Sequence, residues 1–228
     1  MNAIILAAGL GSRLRPITDT IPKSLICVND RPLIEIQIEN LLNIGVENIT
    51  IVVGYLSDCF TYLKDKYNVE IINNKYYAKY NNIYTMSLVI EQLSNSYVID
   101  ADVFMTNNFL VEDPQQSLYF SGIKNSVGEW ELFFNEDNII TDIQYSNGSS
   151  YILSGISFWS SKDAVIIKDA LQRTIKDTSY WENLYWDDIV KNNLSKLNIK
   201  LQKIESTDWY EIDSVRDYEE ILLHYPNK

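Results

Sequence analysis

Residues 1–25 read MNAIILAAGLGSRLRPITDTIPKSL, a hydrophobic run followed by a glycine-rich loop and three basic residues. The apolar run over residues 3–8 predicts a buried parallel strand that leads directly into the loop beginning Gly9-Leu-Gly-Ser. A loop with so few side chains can bring backbone N–H groups close to phosphate oxygens. Arg13, Arg15 and Lys23 follow, in a chain that is otherwise short of positive charge. Together these features indicate a site for a triphosphate.

The loop differs from the two common phosphate-binding loops. It contains no Gly-Lys-Ser/Thr, which a P-loop requires, and Leu14 stands where a dinucleotide-binding fingerprint has its third glycine. Kinase-like NTPases and dehydrogenases are therefore disfavoured. A strand, a glycine turn and a helix also follow one another in many α/β proteins, so the spacing of this loop alone leaves a purely structural role open.

The composition excludes several classes of protein. With 228 residues, 46 % hydrophobic and 12 % aromatic, the chain can form one globular domain, and a disordered scaffold is excluded. The net charge of −12 argues against nucleic acid as a partner, and an acidic protein that binds polyphosphate needs a cation between the two. No segment approaches the roughly twenty apolar residues of a membrane helix, and the N-terminal run does not resemble a signal peptide. We therefore expect a cytoplasmic protein that does not bind a membrane.

Strands and helices alternate through the first half of the chain. The patterns predict strands over residues 3–8, 48–53, 69–72 and 97–99, separated by helices over 32–44, 57–67 and 83–93. Strand–helix–strand repetition at this interval predicts a parallel sheet with helices packed on its faces.

The pattern changes after about residue 115. Segments of β type over 117–124, 129–134, 139–145 and 151–159 precede helices over 162–175 and 182–194, a strand over 199–204 and a helix over 215–223. We predict an α/β fold with a Rossmann-like, mixed but mostly parallel sheet flanked by helices, and a more antiparallel lobe. No linker or repeat divides residues 1–228, so we expect a single domain with halves of about 1–115 and 116–228.

Two aspartates follow the predicted strand over 97–99. Asp100 and Asp102 stand at its carboxyl end, where open α/β sheets bind ligands, and alternation places both on one side of the strand. An aspartate after a strand is also commonly a turn residue or a helix cap. Asp213 has the same ambiguity, because it precedes the predicted helix over 215–223.

Residues 3–16, with Pro22-Lys23 and Arg31-Pro-Leu-Ile34 after them, resemble the signature of the sugar-phosphate nucleotidyltransferases, Leu-Ala-Ala-Gly-x-Gly-(Ser/Thr)-Arg-(Leu/Met)-x-Pro followed by Pro-Lys. The resemblance implies that an acceptor phosphate attacks the α-phosphorus of a nucleoside triphosphate and expels pyrophosphate. It also implies that Arg13 and Lys23 are catalytic and contact the phosphates. The implied nucleotide-binding residues are Leu6, Ala7, Ala8, Gly9, Gly11, Ser12, Arg13, Lys23, Tyr80 and Asn82.

The same resemblance assigns a metal site. Ala101-Asp102 matches the family's magnesium-binding Gly-Asp, and Asp213 lies in the C-terminal Ile-Asp element that supplies the other ligand. Asp100 remains a candidate for a supporting residue, which would contact the metal ligands and not the metal itself. Mg²⁺ is therefore the expected cofactor, held by two carboxylates and by phosphate oxygens. A phosphate monoester is already ionised near neutral pH, so the transfer needs positioning and charge neutralisation but no general base.

Aromatic residues and carboxylates concentrate in the last hundred residues. Such a mixture suits a quaternary ammonium, which forms no hydrogen bonds and is held by cation–π attraction and charge, although most tryptophans are core residues. Nearly the whole chain is similar to the bacterial CTP:phosphocholine cytidylyltransferases, for example over residues 154–159 and 210–215. This narrower resemblance implies CTP and phosphocholine as substrates, and it places the trimethylammonium group at Trp130, Tyr185 and Glu211.

Two features leave other acceptors open. The family's arginine before the Glu-Trp pair is absent, and Lys124, at the nearest position, would hold the acceptor phosphate without bidentate geometry. Asp187 and the adjacent Asp188 would also suit a primary ammonium, as in 2-aminoethylphosphonate or another phosphorylated amine.

A hexose-1-phosphate nucleotidyltransferase would share the first 25 residues but would need amides and carboxylates for sugar hydroxyls. A non-catalytic regulator is disfavoured because the phosphate- and metal-binding residues are all present. No feature of the sequence indicates whether the protein is a monomer or an oligomer.

Overall fold

The chain folds around a central sheet whose strands come from both halves of the sequence. The computed structural model describes residues 1–177 and 180–227. In these residues the strands are β1 (Asn2–Ala7), β2 (Cys27–Val28), β3 (Arg31–Pro32), β4 (Asn48–Val53), β5 (Glu70–Asn73), β6 (Ser96–Asp100), β7 (Val103–Met105), β8 (Ser117–Ser121), β9 (Ile123–Phe134), β10 (Ile140–Tyr151), β11 (Ile156–Trp159), β12 (Ile199–Lys203) and β13 (Trp209–Glu211). The α-helices are α1 (Leu33–Asn43), α2 (Tyr62–Tyr67), α3 (Asn82–Ser87), α4 (Ser161–Asp177), α5 (Trp186–Lys191) and α6 (Val215–His224).

The central sheet has the strand order β12-β8-β11-β6-β1-β4-β5. β4 and β6 lie on either side of β1 and run parallel to it, and β5 is parallel to β4. β11 is antiparallel to both of its neighbours, β6 and β8, whereas β12 is parallel to β8. The sheet is thus mixed but mostly parallel, and the predicted fold class is confirmed.

Both faces of the central sheet are covered, which explains the uninterrupted apolar run in β1. Ala3, Ile5 and Ala7 join a core that includes residues of α1 and α2, whereas Ile4 and Leu6 join a second core with α3, α4 and α5. Successive side chains of a strand point to opposite faces, so a strand buried on both sides needs no polar alternation. No helix in the described part of the chain has the length and hydrophobicity to span a membrane.

The second half adds an antiparallel hairpin outside the central sheet. β9 and β10 are twelve residues long and pair antiparallel, with register irregularities between Ile140 and Asp142 and between Ser146 and Asn147. Both strands extend beyond the predicted ranges of 129–134 and 139–145. A smaller antiparallel pair, β7 with β13, brings the C-terminal region next to the end of β6. The predicted antiparallel lobe is therefore present as the hairpin together with β11.

The structure divides two elements that the sequence pattern joined. The strand predicted over 151–159 is two strands, because Gly155 adopts a left-handed φ of +72° between the end of β10 and the start of β11. The helix predicted over 83–93 ends at Ser87, whose hydroxyl donates to the carbonyl of Tyr84 at 2.7 Å and competes with the helical hydrogen bonding.

The helix predicted over 182–194 also begins later, at Trp186. Tyr185 is extended, with φ −79° and ψ 154°, and its backbone N–H donates to the Asp188 carboxylate at 2.8 Å. This contact caps the start of α5, and a separate 3-10 turn over Trp181–Asn183 precedes it. As a result Tyr185 is the N-cap residue of α5, two residues before Asp187.

Candidate active site

A cleft of about 510 Å³ lies beside the carboxyl ends of β1 and β6 and is bordered by the β9–β10 hairpin and the start of α5. This is the edge at which open α/β sheets bind ligands. Most of the predicted site residues line it: Leu6, Ala7, Ala8, Gly9, Arg13, Lys23, Tyr80, Asn82, Asp102, Trp130, Tyr185, Asp187, Glu211 and Asp213. Gly11, Ser12 and Lys124 lie outside its lining.

One position of the glycine-rich loop requires glycine. Gly11 has a φ of +60°, and a Cβ there would lie 3.1 Å from the Cβ of Lys23 and 3.1 Å from the methyl group of Thr18. The Thr18 hydroxyl donates to the Gly11 carbonyl at 2.8 Å. Gly11 therefore shapes the loop against Lys23, and the adjacent Ser12 is exposed. Gly9, in contrast, lies on the cleft wall with open space around its Cα.

Lys23 is the centre of a network of opposite charges. Its Nζ donates to Oδ2 of Asp102 at 2.7 Å and to Oδ1 of Asp213 at 2.5 Å, and the Arg13 guanidinium lies 3.1 Å from the same Asp213 oxygen. Burial opposes the charge of Lys23, but the two carboxylates outweigh burial and raise its pKa. Burial likewise opposes the charge of Asp213, and Lys23 and Arg13 outweigh it and lower the pKa of that carboxyl. Lys23 and Asp213 are therefore both charged at neutral pH.

The second arginine of the loop takes no part in this network. Arg15 forms an ion pair with Asp19 at 3.3 Å, and both side chains are more than half exposed. Such a pair contributes little to stability. Of the two arginines that follow the glycines, Arg13 is the one that faces the cleft.

The pairing of β7 with β13 explains why Asp102 and Asp213 are neighbours. The backbone N–H of Ile212 donates to the carbonyl of Asp102 at 3.1 Å, so the residue after β13 is held beside the loop that follows β6. Buried Gln37 of α1 donates its side-chain amide to two carbonyls of the 100–103 loop, at 3.0 and 2.8 Å. A helix and a strand pair thus fix the position of both carboxylates.

Asp213 does not cap the last helix. Ser214 is the N-cap of α6, and its hydroxyl accepts from the backbone N–H of Asp217 at 3.3 Å. The Asp217 carboxylate accepts in return from the backbone N–H groups of Ser214 at 2.7 Å and Asp213 at 3.1 Å. The capping alternative for Asp213 is therefore wrong, and its carboxylate is left to face Lys23 and Arg13.

Asp102 and Asp213 have the chemistry of ligands for a hard divalent cation. Their side chains are 32 % and 30 % exposed, so both are reachable from the cleft. Across residues 1–177 and 180–227, no three Asp, Glu, His or Cys side chains converge as a preformed metal cage. Mg²⁺ commonly takes one or two protein carboxylates and completes its coordination with phosphate oxygens and water, so this pair fits such an ion. In the free chain the Lys23 ammonium supplies the positive charge between them.

Aromatic rings line the other end of the cleft. Trp130 of β9 and Tyr145 of β10 are directly opposed in the hairpin register, and their ring centroids are 4.4 Å apart. Tyr185 stands across from them at the start of α5, with 45 % of its surface exposed. The ammonium of Lys191 lies 4.8 Å from the centroid of Trp130. The Trp130 ring therefore already attracts a cation in the free chain.

Recessed carboxyl groups accompany these rings. Burial raises the pKa of Asp187 to about 7, although a hydrogen bond from the Tyr119 hydroxyl at 2.8 Å acts in the opposite direction. Burial, followed by the neighbouring carboxylates, raises the pKa of Glu211 to about 8. The same two causes raise the pKa of Asp100 well above its usual value. A cation that entered this end of the cleft would favour the ionised forms of all three groups.

Lys124 is held away from the cleft, contrary to the expectation that it faces an acceptor phosphate. It lines a neighbouring cavity of about 450 Å³. Its ammonium donates to the Trp209 carbonyl at 2.5 Å and lies 4.0 and 4.4 Å from the ring centroids of Trp209 and Tyr210. Burial lowers the pKa of Lys124 to about 8, against an opposing effect of Glu211. The aromatic surface of β13 and one backbone carbonyl thus determine where this ammonium lies.

Tyr80 and Asn82 line the cleft and also have structural contacts. The Tyr80 ring packs against Trp181 and Tyr84, with centroid distances of 4.8 and 5.1 Å. The side-chain oxygen of Asn82 accepts from the backbone N–H of Trp186 at 2.8 Å. These two predicted nucleotide residues therefore connect α3 to the segment that begins α5.

Three tyrosines of the cleft, Tyr77, Tyr119 and Tyr145, carry no sequence motif that singles them out. Tyr145 could be found from the hairpin register, but the irregularity beside it at Ser146 is not encoded in the hydrophobic alternation. Tyr119 is 2 % exposed within β8 and has the sequence pattern of an ordinary core residue.

Comparison with known proteins gives matches over the whole chain. The nucleotidyl transferase family matches residues 2–122. A choline-phosphate cytidylyltransferase from Streptococcus pneumoniae is 46 % identical over 226 residues, which cover 97 % of this chain and 98 % of that protein. A 2-aminoethylphosphonate cytidylyltransferase from Lancefieldella rimae is 34 % identical, over 95 % of this chain and 89 % of that protein. The solved structure of a CTP:phosphocholine cytidylyltransferase from S. pneumoniae has a TM-score of 0.94 to this chain and is 44 % identical, over 96 % of both chains.

These similarities extend to both ends of the cleft, because the family match covers the glycine-rich loop and the relatives cover the hairpin and the C-terminal strand as well. Members of the family generally use a divalent metal, and the relatives act on a nucleotide and a phosphorylated co-substrate. This chain belongs to the nucleotidyl transferase family and is a nucleotidyltransferase.

Proposed function

We propose that this enzyme transfers CMP from CTP to phosphocholine, with CDP-choline and pyrophosphate as products. An oxygen of the phosphocholine phosphate forms a bond to the α-phosphorus of CTP, and the bond from that phosphorus to the bridging oxygen of pyrophosphate breaks. The observation that carries the proposal is the composition of one continuous cleft. One end holds Lys23 and Arg13 with their carboxylate partners, and the other holds aromatic rings and buried carboxyl groups. A triphosphate and a phosphorylated cation can therefore lie side by side in it.

At the nucleotide end, Arg13 and Lys23 would neutralise the triphosphate. The pKa of Lys23 is raised, so the group is an ammonium throughout the neutral range. A fixed cation at the position where charge develops is worth more than one in water, because it needs no reorganisation during the reaction. The backbone of residues 6–9, at the end of β1, would lie along the nucleotide.

We propose Mg²⁺ as the metal, held by Asp102 and Asp213. When bound, it would neutralise charge on the phosphate oxygens and so favour attack by a second anion. The carboxylates that would bind the metal are those that hold Lys23 in the free chain. Lys23 would therefore exchange its carboxylate partners for phosphate oxygens when the substrates bind.

The protein needs no general base for this reaction, since the attacking phosphate is already ionised near neutral pH. Its single histidine, His224, lies on α6 and lines the neighbouring cavity with Lys124. In-line positioning and charge neutralisation are therefore the contributions to catalysis that the side chains of the cleft can make.

At the acceptor end, the trimethylammonium group would lie among Trp130, Tyr145 and Tyr185. A quaternary ammonium donates no hydrogen bond, so ring faces and net negative charge are the means of holding it. Asp187 and Glu211 would supply the charge. The similarity to the S. pneumoniae choline-phosphate cytidylyltransferase supports this acceptor.

2-Aminoethylphosphonate is the second candidate acceptor. The 34 % identity to a cytidylyltransferase for that compound favours it, as do the paired carboxylates Asp187 and Asp188 at the start of α5. A primary ammonium would use these oxygens as hydrogen-bond acceptors and would depend less on the rings.

The test is pyrophosphate release in the presence of Mg²⁺, with each of CTP, UTP, dTTP and ATP combined with phosphocholine, phosphoethanolamine, 2-aminoethylphosphonate and glucose-1-phosphate. We expect the highest kcat/KM for CTP with phosphocholine. A preference for 2-aminoethylphosphonate would retain the cytidylyltransferase and replace the acceptor. Activity restricted to glucose-1-phosphate would contradict the proposed acceptor site altogether.

We also propose that residues 1–228 act as one domain in the cytoplasm, where nucleoside triphosphates are made. In this assignment about residues 1–115 bind the nucleotide and about residues 116–228 bind the acceptor. The shared sheet supports one domain, because strands of both halves are hydrogen-bonded neighbours in it. Asp213 is the exception to the division, since it lies in the second half but faces the nucleotide end.

A further inference from the structure

A closed set of contacts lies beneath the acceptor end of the cleft. The Tyr119 hydroxyl donates to Oδ1 of Asp187 at 2.8 Å. The Tyr119 ring meets Trp159 edge-on at a centroid distance of 5.4 Å, and Trp159 meets Trp186 edge-on at 5.5 Å. Since Trp186 precedes Asp187 in the chain, the contacts return to the carboxyl at which they began.

These contacts leave the hydroxyl–carboxyl pair little freedom. Tyr119 is 2 % exposed in β8 and pairs with β11 on one side and β12 on the other. The indole N–H of Trp159 donates to the Ser157 hydroxyl at 2.9 Å, and the backbone N–H of Trp186 donates to Asn82 at 2.8 Å. The donor is therefore anchored through the central sheet and the acceptor through α3 and α5. Asp187 cannot turn away without breaking its bond to a buried hydroxyl.

The surroundings of Asp187 otherwise disfavour its charge. Burial has the largest effect and raises its pKa to about 7, and Asp188 on the same helix acts in the same direction. Asp187 is in turn one of the carboxyls that, after burial, raise the pKa of Asp100 of β6. The hydrogen bond from Tyr119 of β8 acts against these effects, because it stabilises the ionised form.

We propose that Tyr119 is a positioning residue for the acceptor. By donating to Asp187, its hydroxyl favours the ionised form of that carboxyl and holds it towards the cleft, and the enzyme thereby selects a cationic acceptor over a neutral molecule of the same shape. The inference rests on the proposed function, because it takes a phosphorylated amine as the acceptor. Tyr119 acts through Asp187 and does not touch the reacting atoms.

The test compares phosphocholine with 3,3-dimethylbutyl phosphate, in which carbon replaces the nitrogen and removes the charge. Tyr119→Phe deletes one oxygen and keeps the buried ring. We expect kcat/KM for phosphocholine to fall about tenfold or more, and kcat/KM for the neutral analogue to change little. Tyr97→Phe is the matched control, since Tyr97 is also a buried tyrosine of the central sheet and donates to the Val111 carbonyl at 2.6 Å, outside the cleft. It should leave the ratio of the two acceptors unchanged.

An equal loss for both acceptors in Tyr119→Phe would show a merely structural role and overturn the proposal. A second measurement does not depend on the acceptor: titration of the Asp187 carboxyl by ¹³C NMR in the free enzyme, with the signal assigned by Asp187→Asn. Tyr119→Phe should raise the pKa of Asp187, and an unchanged pKa would overturn the proposal whatever the substrate. Failure of wild-type turnover with phosphocholine would instead refute the proposed function, and the titration would still decide the role of Tyr119.

Discussion

At the nucleotide end of the cleft Lys23 and Arg13 lie 2.5–3.1 Å from carboxylate oxygens, whereas at the acceptor end the side-chain partner of Asp187 is a neutral hydroxyl. The carboxyl pKa values shift in opposite directions at the two ends: at Asp213, Lys23 and Arg13 outweigh burial and lower the pKa, whereas at Asp187 burial outweighs the Tyr119 hydrogen bond and raises it. At the first end, the carboxylates already have cationic partners before any ligand binds. At the second end, in the part of the chain that the structure describes, neither Asp187 nor Glu211 forms an ion pair, and a cationic acceptor would supply a positive charge beside them.

The two ends also differ in how the sequence builds them. The cations of the nucleotide end come from one short segment after β1, within residues 13–23. The acceptor end is assembled from the hairpin, the start of α5 and the end of β13, which are far apart in the chain. Substitutions that affect one end and leave the other intact therefore test whether the two ends act separately.

The largest effect is expected for Lys23→Ala. It removes the ammonium that we propose neutralises the transferred phosphoryl group, and we expect kcat to fall on the order of a thousandfold. Arg15→Ala is the matched control, because Arg15 belongs to the same segment but pairs with Asp19 outside the cleft. Steady-state pyrophosphate release measures both variants. Circular dichroism and a Tm measurement show whether Lys23→Ala remains folded, and a folded variant with near-normal kcat would remove Lys23 from the mechanism.

Asp213→Asn tests the carboxylate on the other side of the same network. The substitution keeps the shape but removes a charge that faces Lys23 and Arg13, and we expect activity at a fixed Mg²⁺ concentration to fall on the order of a hundredfold. Excess Mg²⁺ should recover part of the loss if the carboxylate binds the metal.

Ser214→Ala is the control that separates metal binding from helix capping. Ser214 caps α6, so this variant should lose about 1 kcal/mol of unfolding free energy and keep its activity. The two substitutions are adjacent in the chain and should have different consequences. Loss of activity in Ser214→Ala with normal activity in Asp213→Asn would reverse the assignment of the two residues.

The difference between the ends also explains what could be predicted from the sequence. The strand, the loop and Lys23 follow one another in the chain, so a local pattern predicts the nucleotide end. The same pattern predicts the parallel sheet at whose carboxyl edge this end lies. The closeness of Asp102 to Asp213 was predicted by resemblance, but its cause, the pairing of β7 with β13, was not, because each strand has only three residues. Strands that short carry too few positions for a hydrophobic period.

The acceptor end was predicted less completely because its residues meet through tertiary structure. Lys124 is on the strand that carries Trp130, yet its ammonium binds the aromatic surface of β13 in a different cavity. The contact of Tyr119 with Asp187 joins β8 to α5, and no spacing in the sequence encodes it. Hydrophobic pattern predicts that a tyrosine is buried, but it does not predict what its hydroxyl contacts.

Trp130→Ala tests the aromatic wall and should leave the nucleotide end intact. Loss of a partly desolvated cation–π contact should raise KM for phosphocholine about tenfold to thirtyfold, with KM for CTP unchanged. Phe133→Ala is the matched control, because Phe133 is an aromatic residue of the same strand, 39 % exposed and outside the cleft. Steady-state kinetics with each substrate varied in turn separates the two constants. An equal rise in both KM values would mean that the hairpin supports the cleft as a whole.

The smallest effect is on stability, and its sign should differ between the two ends. Folded Asp187 keeps its proton to about pH 7, whereas in the unfolded chain the carboxyl ionises near its usual, lower pKa. Between these values the folded state binds more protons, so the contribution of Asp187 to the free energy of unfolding falls as pH rises. Asp187→Asn retains an oxygen for the Tyr119 hydroxyl and removes this cost. It should raise Tm at pH 8, by roughly 2–4 °C per kcal/mol for a chain of this size, and raise it less at pH 5, where only part of the cost has accumulated. Asp213 has a lowered pKa, so its stabilising contribution is present above the unfolded pKa, and Asp213→Asn should lower Tm at pH 8.

Thermal unfolding of both variants and the wild type at pH 5 and pH 8 measures the contrast. If both substitutions shifted Tm in the same direction at pH 8, the opposite electrostatic character of the two ends would be refuted.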